Sequence, residues 1–420
     1  MARVLLLLPS ATYRAPDFLT AASALGIEVV VGSEHRQAMA EAMGDRALMV
    51  PLGRPDAATA AIVALHQRAP LDAVVAVDDQ GVVVAAMAGR ALGLPHNPPE
   101  AVARTRDKAA MRSALARAGV RQPEFRIITG RSDNLDAQAA DIGLPCVVKP
   151  VALSASRGVI RADTAAELAV AAARVRAILG EAGEDPEGPL LVERFVAGTE
   201  MAIEALLRGG RLEVLALFDK PDPLDGPYFE ETIYVTPSRA TMATTEAVEQ
   251  LTGDAVRAIG LIEGPVHAEV RIDAEGRPWM LEVAARSIGG LCGRTLRFGT
   301  GMSLEEVILR HAVGLPLDGI RREASAAGVM MLPIARAGWL TPVGGRADAL
   351  AVPAVEAVEI SIPAGRRVRP LPEGDRYLGF VFARASTPEE VEAALRRAHA
   401  ALDVVITDAP IPADPRWPLQ

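Results

Sequence analysis

The sequence predicts an α/β N-terminal part built on a doubly wound parallel sheet, then an α+β part, and finally a β-rich C-terminal part. Three observations support this. In residues 1–98, short apolar runs alternate with helical segments, which favours a parallel sheet with crossover helices. Residues 266–286 have the pattern of a β-hairpin. From about residue 320 onward, strand patterns predominate over helical ones.

The N-terminal strands are predicted at VLLLL (4–8), IEVVV (27–31) and AVVAV (73–77), and the helices at 18–26, 58–69 and 81–93. Two of these helices are followed by glycine, a common helix stop. Asp78 and Asp79 directly follow the third strand, where doubly wound folds place their ligand crevice. Alternatively, one of the two caps a helix beginning at Gln80.

Composition excludes several classes of function. The chain has 420 residues, half of them hydrophobic, so a globular protein of two to four domains is expected. The net charge of −9 argues against a nucleic-acid partner, which would require a basic surface. The two cysteines, Cys146 and Cys292, are too few for a disulfide framework or a tetrahedral zinc site. No run reaches transmembrane length, so we expect a cytoplasmic protein without a membrane partner.

The middle of the chain carries mixed patterns. Within 99–120, Asp107 is the predicted N-cap of a helix and Gly119 its stop. The strand CVVKP precedes a loop of small residues, LSASRGV (153–159). The remaining predicted elements are a strand at 124–128, helices at 164–179 and 242–259, strands at 190–196, 199–208 and 211–218, and a long ordered loop at 219–237.

The hairpin at 266–286 is the most informative stretch. With its turn centred on Ala274–Gly276, Glu269 lies opposite Glu282. One face then carries His267, Glu269, Arg271, Glu282, Ala284 and Arg286, and the other carries the apolar residues Ala268, Val270, Ile272, Leu281, Val283 and Ala285. Facing carboxylates destabilise a sheet, whereas a divalent cation between them would stabilise it. A solvated face with a fortuitous pair is the alternative.

The C-terminal part is predicted to start after a helix at 303–314 that ends at glycine. Strands follow at 329–334, 354–360 and 378–385, and a helix at 387–402 begins with a threonine cap and an acidic first turn. A short strand at 403–406 completes the pattern.

Two lysines occupy positions suited to phosphate. Lys149 ends a strand just before the Ser/Gly loop, and Lys108 begins a helix, where the helix dipole favours anions. Either lysine alone is most often a solvated surface residue. Together with the two-carboxylate hairpin, they predict a site for a nucleotide and a metal ion.

These motifs resemble the ATP-grasp superfamily when taken in order: RDK (106–108), VVKP (147–150), SASRGV (154–159), VERFVAGTE (192–200), HAEV (267–270) and LEVAAR (281–286). The chain is most similar to L-amino acid ligases of the bacilysin-synthetase type, which share the ending Glu-x-x-x-Arg. Most other ATP-grasp enzymes have asparagine at the position of Ala284. The resemblance implies a Rossmann-like domain (1–98), an ATP-grasp small lobe (99–188), a large lobe with the metal site (189–318) and a β-rich subdomain (319–420).

The resemblance also implies roles for individual residues. ATP would be bound by Lys108, Lys149, Ser154, Ser156, Arg157, Gly158, Glu193, Phe195, Val196 and Glu200. The backbone N–H groups of Ser156, Arg157 and Gly158 are the candidate phosphate donors in the loop. Glu269 and Glu282 would hold two Mg²⁺ ions, with Mn²⁺ as an alternative ion. Arg286 would face the transferred phosphate, and His267 or Glu231 would act as the base.

The implied reaction joins a carboxylate to an amine through an acylphosphate, giving ADP and phosphate. An L-amino acid (dipeptide) ligase is the leading interpretation. A purine-pathway ligase or carboxylase and a non-catalytic ATP-binding protein are the alternatives. Both substrates would be small molecules, and a homodimer is compatible with the family. Candidate substrate residues are Tyr228, Glu230, Glu231, Ser287, Gly289 and Gly290.

Overall fold

The structure of the chain is a computed structural model that describes residues 1–10, 12–36, 40–130, 135–317 and 319–410. The N-terminal elements are β1 (Arg3–Leu7), α1 (Ala15–Ala24), β2 (Glu28–Ser33), α2 (Ala40–Met43), β3 (Ala47–Met49), α3 (Pro55–Arg68), β4 (Ala73–Ala76) and α4 (Val82–Leu92). The four strands form a parallel sheet in the order β3-β2-β1-β4. Both faces are covered, since Leu5 and Leu7 pack with α3 and α4 while Leu6 packs with α1. The doubly wound arrangement is therefore confirmed.

A small antiparallel sheet follows. Its part of the chain comprises α5 (Pro99–Arg106), α6 (Lys108–Arg117), β5 (Phe125–Ile128), α7 (Leu135–Ile142), β6 (Cys146–Pro150), β7 (Ile160–Ala162), α8 (Ala165–Glu181) and β8 (Leu190–Arg194). The strand order is β5-β8-β6-β7, and α8 packs on one face of this sheet. Asp107 caps α6 by accepting hydrogen bonds from the backbone N–H groups of Ala109 and Ala110. This confirms the predicted cap, which fixes Lys108 in the first turn of α6.

The largest sheet has eight antiparallel strands in the order β13-β12-β9-β10-β11-β16-β20-β18. The next elements along the chain are β9 (Thr199–Arg208), β10 (Arg211–Lys220), β11 (Ile233–Thr236), α9 (Met242–Ile259), β12 (Gly264–Ile272), β13 (Pro278–Ala284), β14 (Arg297–Phe298), β15 (Met302–Ser303) and α10 (Leu304–Ala312). Helix α9 covers the apolar face of the hairpin β12–β13, and α10 packs in a core shared with the N-terminal sheet.

The C-terminal strands mostly extend this large sheet. The last elements are β16 (Ala326–Leu332), β17 (Gly338–Leu340), α11 (Arg346–Leu350), β18 (Val355–Ile360), β19 (Arg367–Val368), β20 (Gly379–Ala385), α12 (Pro388–Ala401) and β21 (Ile406–Thr407). The strands β16, β18 and β20 continue the large sheet, whereas β17, β19 and β21 form a separate three-stranded sheet. The β-rich character predicted for this region is confirmed.

The prediction of one long loop over residues 219–237 is wrong. Strand β10 continues to Lys220, and the same stretch contains β11, whose four residues are all buried. β11 has only four residues and ends beside Pro237, so the sequence shows little alternation there. Its place between β10 and β16 comes from pairing with residues that are distant in sequence. The extension of β10 matters because it carries Lys220 into the site.

The longest helices are amphipathic rather than apolar all round. Helix α9 has 18 residues and buries one stripe, which includes Val248, Ala255 and Ile259. Helix α8 has 17 residues and begins with a capping box at Thr164. Among the helices in the described ranges, none is long and apolar enough to cross a membrane.

Candidate functional site

Two adjoining clefts lie where the small sheet faces the large one. The wide cleft has a volume of about 1240 Å³ and the narrow cleft about 760 Å³, each including its open mouth. They share the loop Ser154–Ser156 and the side chains of Phe229, Glu231, Glu269 and Glu282. The two facing carboxylates of the hairpin therefore lie at the junction of the clefts.

The predicted register of the hairpin is confirmed around its carboxylates, since Glu269 lies opposite Glu282. A β-bulge follows directly, because Val270 pairs with Met280 rather than with Leu281. Met280 therefore packs in the apolar core, while Leu281 lines the narrow cleft. The prediction that Leu281 belongs to the apolar face is wrong for this reason.

Both predicted lysines line the narrow cleft. Lys108 Nζ donates to the backbone oxygen of Leu153 at 2.6 Å and lies 3.6 Å from Glu282 Oε1. Lys149 Nζ lies 2.6 Å from Glu193 Oε2. Burial lowers the pKa of Lys149, although Glu193 opposes this shift. An ammonium group has three N–H donors, so each lysine keeps donors that can face the cleft.

Arg112 is a buried cation that the sequence patterns did not reveal. It is fully buried, its Nε lies 2.5 Å from Glu193 Oε1, and it donates to the backbone oxygens of Met280 and Leu281. Burial alone would raise the pKa of Glu193, but Arg112 and Lys149 outweigh it and hold that pKa at about 2. Lys108 and Arg112 are four residues apart on α6, and this spacing is the sequence signal that could have found Arg112.

Four of the residues predicted to bind ATP, Glu193, Phe195, Val196 and Glu200, line the narrow cleft. The carboxylate of Glu193 is engaged by Arg112 and Lys149. Glu200 is likewise paired, with Lys220 at 2.6 Å and with Arg271 at 3.1 Å. The structure therefore leaves the side chains of Phe195 and Val196 as the apolar wall of this cleft.

A third lysine, Lys220, lies among three carboxylates. Its Nζ is 2.6 Å from Glu200, 2.7 Å from Glu231 and 3.0 Å from Glu269, and the side chain is 3% exposed. Those carboxylates are close enough together to hold a metal ion, but the ammonium already lies between them. Lys220 was not predicted. The scarcity of lysine could have indicated it, because the chain has only three lysines against 41 arginines. All three lysines lie at this site.

Glu269 and Glu282 retain oxygen atoms that a divalent cation could use. In the described part of the chain, both hydrogen bonds to the Glu269 carboxylate fall on Oε1, from Lys220 and Tyr234. Within the same residues, Glu282 accepts no hydrogen bond, and its nearest cation is Lys108. Burial alone would raise the pKa of Glu269, but Lys220 and His267 hold it at about 2. Two ionised carboxylates with uncommitted oxygens fit a hard cation such as Mg²⁺.

Arg286 follows β13 and lines the wide cleft. Its Nε lies 2.9 Å from Asp79 Oδ1, its Nη2 donates to Asp79 Oδ2 at 3.1 Å, and its Nη1 donates to the backbone oxygen of Ser287 at 2.9 Å. Asp79 begins the short helical turn Asp79–Gly81 that comes shortly after β4, so the first domain reaches into the site. Neither Asp78 nor Asp79 caps the following helix in the structure, since no side-chain cap bond is made there.

His267 lies between two carboxylates in the wide cleft. Its Nδ1 is 3.4 Å from Glu204 Oε2, and its Nε2 is 3.6 Å from Glu269 Oε1. Burial opposes protonation, but Glu204 and Glu269 raise the pKa of His267 overall. This shift is toward the protonated ring, which suits a group that holds Glu269 better than a group that accepts a proton.

The Ser/Gly loop lies over the junction of the clefts, with Ser154 and Ser156 lining both. Two of the three predicted backbone donors are already used: the N–H of Arg157 donates to Ser154 at 3.3 Å, and that of Gly158 donates to Pro372 at 2.9 Å. Arg157 and Gly158 line neither cleft. In this conformation the loop and the C-terminal part satisfy both N–H groups, and their contact with a phosphate stays a prediction.

The predicted substrate residues divide into two sets. The wide cleft is lined by Glu230, Glu231, Gly289 and Gly290. Tyr228 lies elsewhere, on the outer side of the small sheet, where its hydroxyl accepts a hydrogen bond from Arg174. Ser287 is 2% exposed and accepts a hydrogen bond from Arg14 at 2.7 Å. Tyr228 and Ser287 therefore do not line the wide cleft, and their contact with a substrate stays a prediction.

Glu231 is held in place within the wide cleft. Lys220 and the hydroxyl of Tyr234 contact its Oε1, and the hydroxyl of Tyr377 donates to its Oε2 at 3.1 Å. Neighbouring Glu230 accepts only a weak bond at 3.3 Å from the backbone of Ile334, and burial raises its pKa. Next to these acids, Gly289 borders open space, whereas the Phe380 ring lies 3.1 Å from where a Cβ of Gly290 would be.

Three protein-family models match successive parts of the chain. They describe an ATP-grasp N-terminal domain over residues 19–96, an ATP-grasp domain over 142–295 and an L-amino acid ligase C-terminal domain 2 over 330–407. Together they follow the order of the motifs in the sequence. The resemblance drawn from those motifs is confirmed.

Several curated proteins similar to this chain are ligases. D-alanine–D-alanine ligase of Cupriavidus pinatubonensis is 26% identical over 239 residues, which cover 54% of this chain and 69% of that protein. Alanine–anticapsin ligase of Bacillus subtilis is 25% identical over 264 residues, which cover 59% of this chain and 55% of that protein. The chain spans about two thirds of the length of the first curated relatives that it matches.

Among solved structures, the chain is similar to an L-amino acid ligase from Bacillus licheniformis. The two share 25% sequence identity with a TM-score of 0.79, and the match covers 97% of this chain and 99% of the other. The similarity therefore extends over the N-terminal domain, both lobes and the β-rich C-terminal region.

Proposed function

We propose that this chain, which belongs to the ATP-grasp superfamily, is an ATP- and Mg²⁺-dependent ligase that joins the carboxylate of one amino acid to the amine of another. The products would be a dipeptide, ADP and phosphate. The observation that carries this proposal is the junction of the clefts. Glu269 and Glu282 lie between a narrow cleft that carries lysines and a wide cleft that carries Arg286. A phosphate donor and a carboxylate acceptor could meet only at that junction.

The narrow cleft suits ATP. Phe195 and Val196 offer an apolar wall for the base, and Lys108 and Lys149 offer ammonium donors for the phosphates. Lys108 lies 3.6 Å from Glu282, and both lysines lower the pKa of that carboxylate. The phosphate end of the nucleotide would therefore point toward the junction.

Glu269 and Glu282 would hold Mg²⁺ through their uncommitted oxygens. When bound, the ion neutralises phosphate charge as the phosphoryl group is transferred. Lys220 Nζ lies 3.0 Å from Glu269, and Lys108 Nζ lies 3.6 Å from Glu282. These contacts keep both carboxylates ionised without filling the space between the clefts.

The reaction proposed has two steps. A carboxylate oxygen of the first substrate attacks the γ-phosphorus of ATP, the bond to ADP breaks, and an acylphosphate forms. The amine of the second substrate then attacks the acyl carbon, loses a proton, and phosphate leaves with the former carboxylate oxygen. Of the five N–H groups of Arg286, two are not directed at Asp79 or at Ser287. They would stabilise the negative charge that develops in both steps.

The wide cleft suits an amino-acid substrate. Glu231 and Glu230 offer carboxylates for an ammonium group, and Gly289 leaves room for a side chain. Since Glu204 and Glu269 raise the pKa of His267 and so weaken it as a proton acceptor at a given pH, Glu231 is the better candidate to receive the proton of the attacking amine. Its two oxygens are already oriented by Lys220, Tyr234 and Tyr377.

The proposal can be tested by a screen of substrate pairs. The protein is incubated with ATP, Mg²⁺ and amino acids taken singly and in pairs, while ADP, phosphate and product masses are measured. We expect ADP and a condensed product only with a matching pair. Release that depends on bicarbonate would instead indicate a carboxylase, and nucleotide binding without turnover over the whole panel would indicate a non-catalytic protein.

A further inference from the structure

Two chain segments that are far apart in sequence meet at the mouth of the wide cleft. One is the segment that follows β4, with Val77 and Asp79, and the other is the end of β13, with Arg286 and Ser287. Asp79 and Arg286 are separated by 207 residues. The contact therefore joins the N-terminal α/β domain to the hairpin that carries the proposed metal ligands.

The contact between Asp79 and Arg286 is bidentate. The two carboxylate oxygens face Nε at 2.9 Å and Nη2 at 3.1 Å, and the side chains are 15% and 14% exposed. A forked pair of this kind fixes the plane of the guanidinium as well as its position. Arg106 Nη1 lies 3.2 Å from Asp79 Oδ1 and so holds the carboxylate from another side.

A second buried tie holds the same two segments together. Arg14 is 2% exposed, and it donates to the backbone oxygen of Val77 at 2.8 Å and to Ser287 Oγ at 2.7 Å. Glu305 lies 3.8 Å from Arg14 and offsets its charge. Arg14 therefore ties the backbone of Val77 to the side chain of Ser287, close to where Asp79 meets Arg286.

We propose that Asp79 is a positioning residue for the ligase reaction, which holds the guanidinium of Arg286 so that its two remaining N–H groups point at the transferred phosphoryl group. This inference rests on the proposed function. It assigns the N-terminal domain a direct part in the chemistry, because the domain supplies the group that orients the catalytic arginine.

A positioning role and a structural role predict different results. If Asp79 only offsets the charges of Arg286 and Arg106, its loss lowers stability and leaves turnover of the folded enzyme unchanged. If it orients Arg286, its loss lowers kcat while the KM for ATP stays constant, since the lysines of the narrow cleft are untouched. Misplacement of a catalytic group by about 1 Å can cost a factor of about 100 in rate.

The experiment compares Asp79→Asn with Asp72→Asn in the full chain. Asp72 directly precedes β4, at the end opposite Asp79, is exposed, and accepts a hydrogen bond from the backbone of Arg3. We expect Asp79→Asn to lower kcat for amide formation at least about tenfold, with the KM for ATP within twofold of wild type. Asp72→Asn should retain wild-type kcat and KM.

A double-mutant cycle shows whether the effect acts through Arg286. Lysine has no guanidinium for Asp79 to orient. In an Arg286→Lys background, Asp79→Asn should therefore cause little further loss of kcat. If Asp79→Asn lowers kcat equally in both backgrounds, or leaves kcat unchanged in the native background, the positioning role is wrong.

Asp79→Glu keeps the charge beside both arginines and covers the case in which the asparagine variant does not fold. Its longer side chain displaces the fork, so we expect a measurable fall in kcat that is smaller than for Asp79→Asn. Wild-type kcat in Asp79→Glu would contradict the inference. Wild-type enzyme in the same assay separates the two proposals, because absence of its turnover contradicts the ligase function itself.

Discussion

The ammonium group of Lys220 lies 3.0 Å from the carboxylate of Glu269, so a buried internal cation contacts one of the two carboxylates that face each other across the hairpin. The same ammonium also contacts Glu200 and Glu231. The three carboxylates, one buried and two partly buried, would repel one another without it. Lys220 therefore offsets the repulsion among these carboxylates, so that the folded protein can keep an acidic site for a cation.

Substitution of Lys220 by methionine should destabilise the fold. Breaking a buried ion pair from one side costs about 3 to 5 kcal/mol, since the remaining charges stay buried without a partner. We expect a loss of about 3 kcal/mol or more in urea unfolding at pH 7, and a smaller loss at pH 4.5, where protonation relieves the repulsion. Unfolding free energies equal to wild type at both pH values would contradict the role given to Lys220.

Stability should fall steeply in acid because of Glu193. Its pKa in the folded state is about 2 against an ordinary value of 4.5, so its contribution is complete above pH 4.5 and is lost as the pH falls toward 2. The shift corresponds to a contribution on the order of 3 kcal/mol. Urea unfolding between pH 7 and pH 3 measures the effect, and Glu193→Gln should show a flatter pH dependence. Identical slopes for the two proteins would rule this account out.

Glu282→Gln should raise the Mg²⁺ concentration needed for half-maximal activity. An amide oxygen is a weaker ligand than a carboxylate, and changes even in the groups that support metal ligands cost about 10- to 100-fold in affinity. Glu275→Gln is the matched control, because Glu275 lies on the exposed turn of the same hairpin and pairs with Arg277. A Mg²⁺ titration of turnover decides the point, and equal midpoints for all three proteins would show that Glu282 is not a ligand.

Two tyrosine substitutions test whether the amine substrate binds in the wide cleft or outside it. Tyr377→Phe removes the 3.1 Å hydrogen bond to Glu231, which is worth about 1 kcal/mol, so the KM for the amine substrate should rise about threefold to tenfold. Tyr228→Phe should leave that KM unchanged, because Tyr228 contacts Arg174 outside both clefts. Steady-state kinetics of both variants test this, and the opposite ranking would place the substrate elsewhere.

The parts of the site that sequence could predict depend on local pattern. Alternation and a turn fixed the facing pair Glu269 and Glu282, and a cap fixed Lys108 at the start of a helix. The bulge beside Leu281 could not be predicted, since it depends on how the strand meets the core. Arg112 and Lys220 needed a different argument, from helix spacing and from the scarcity of lysine in an arginine-rich chain.

Contacts between segments that are distant in sequence could not be predicted from local sequence patterns. Asp79 was placed correctly at the end of a strand, but its partner Arg286 is 207 residues away. The same limit explains Tyr228 and Ser287. Their neighbours along the chain line the wide cleft, whereas tertiary contacts with Arg174 and Arg14 direct the two side chains elsewhere.

The path of one oxygen atom tests the proposed reaction most directly. A matching amino-acid pair is supplied with ¹⁸O in the carboxylate of the substrate that becomes acylated, and the phosphate released is analysed by mass spectrometry. If the carboxylate is activated as an acylphosphate, one labelled oxygen should appear in phosphate for each amide bond formed. Unlabelled phosphate accompanying a normal yield of amide would contradict the mechanism.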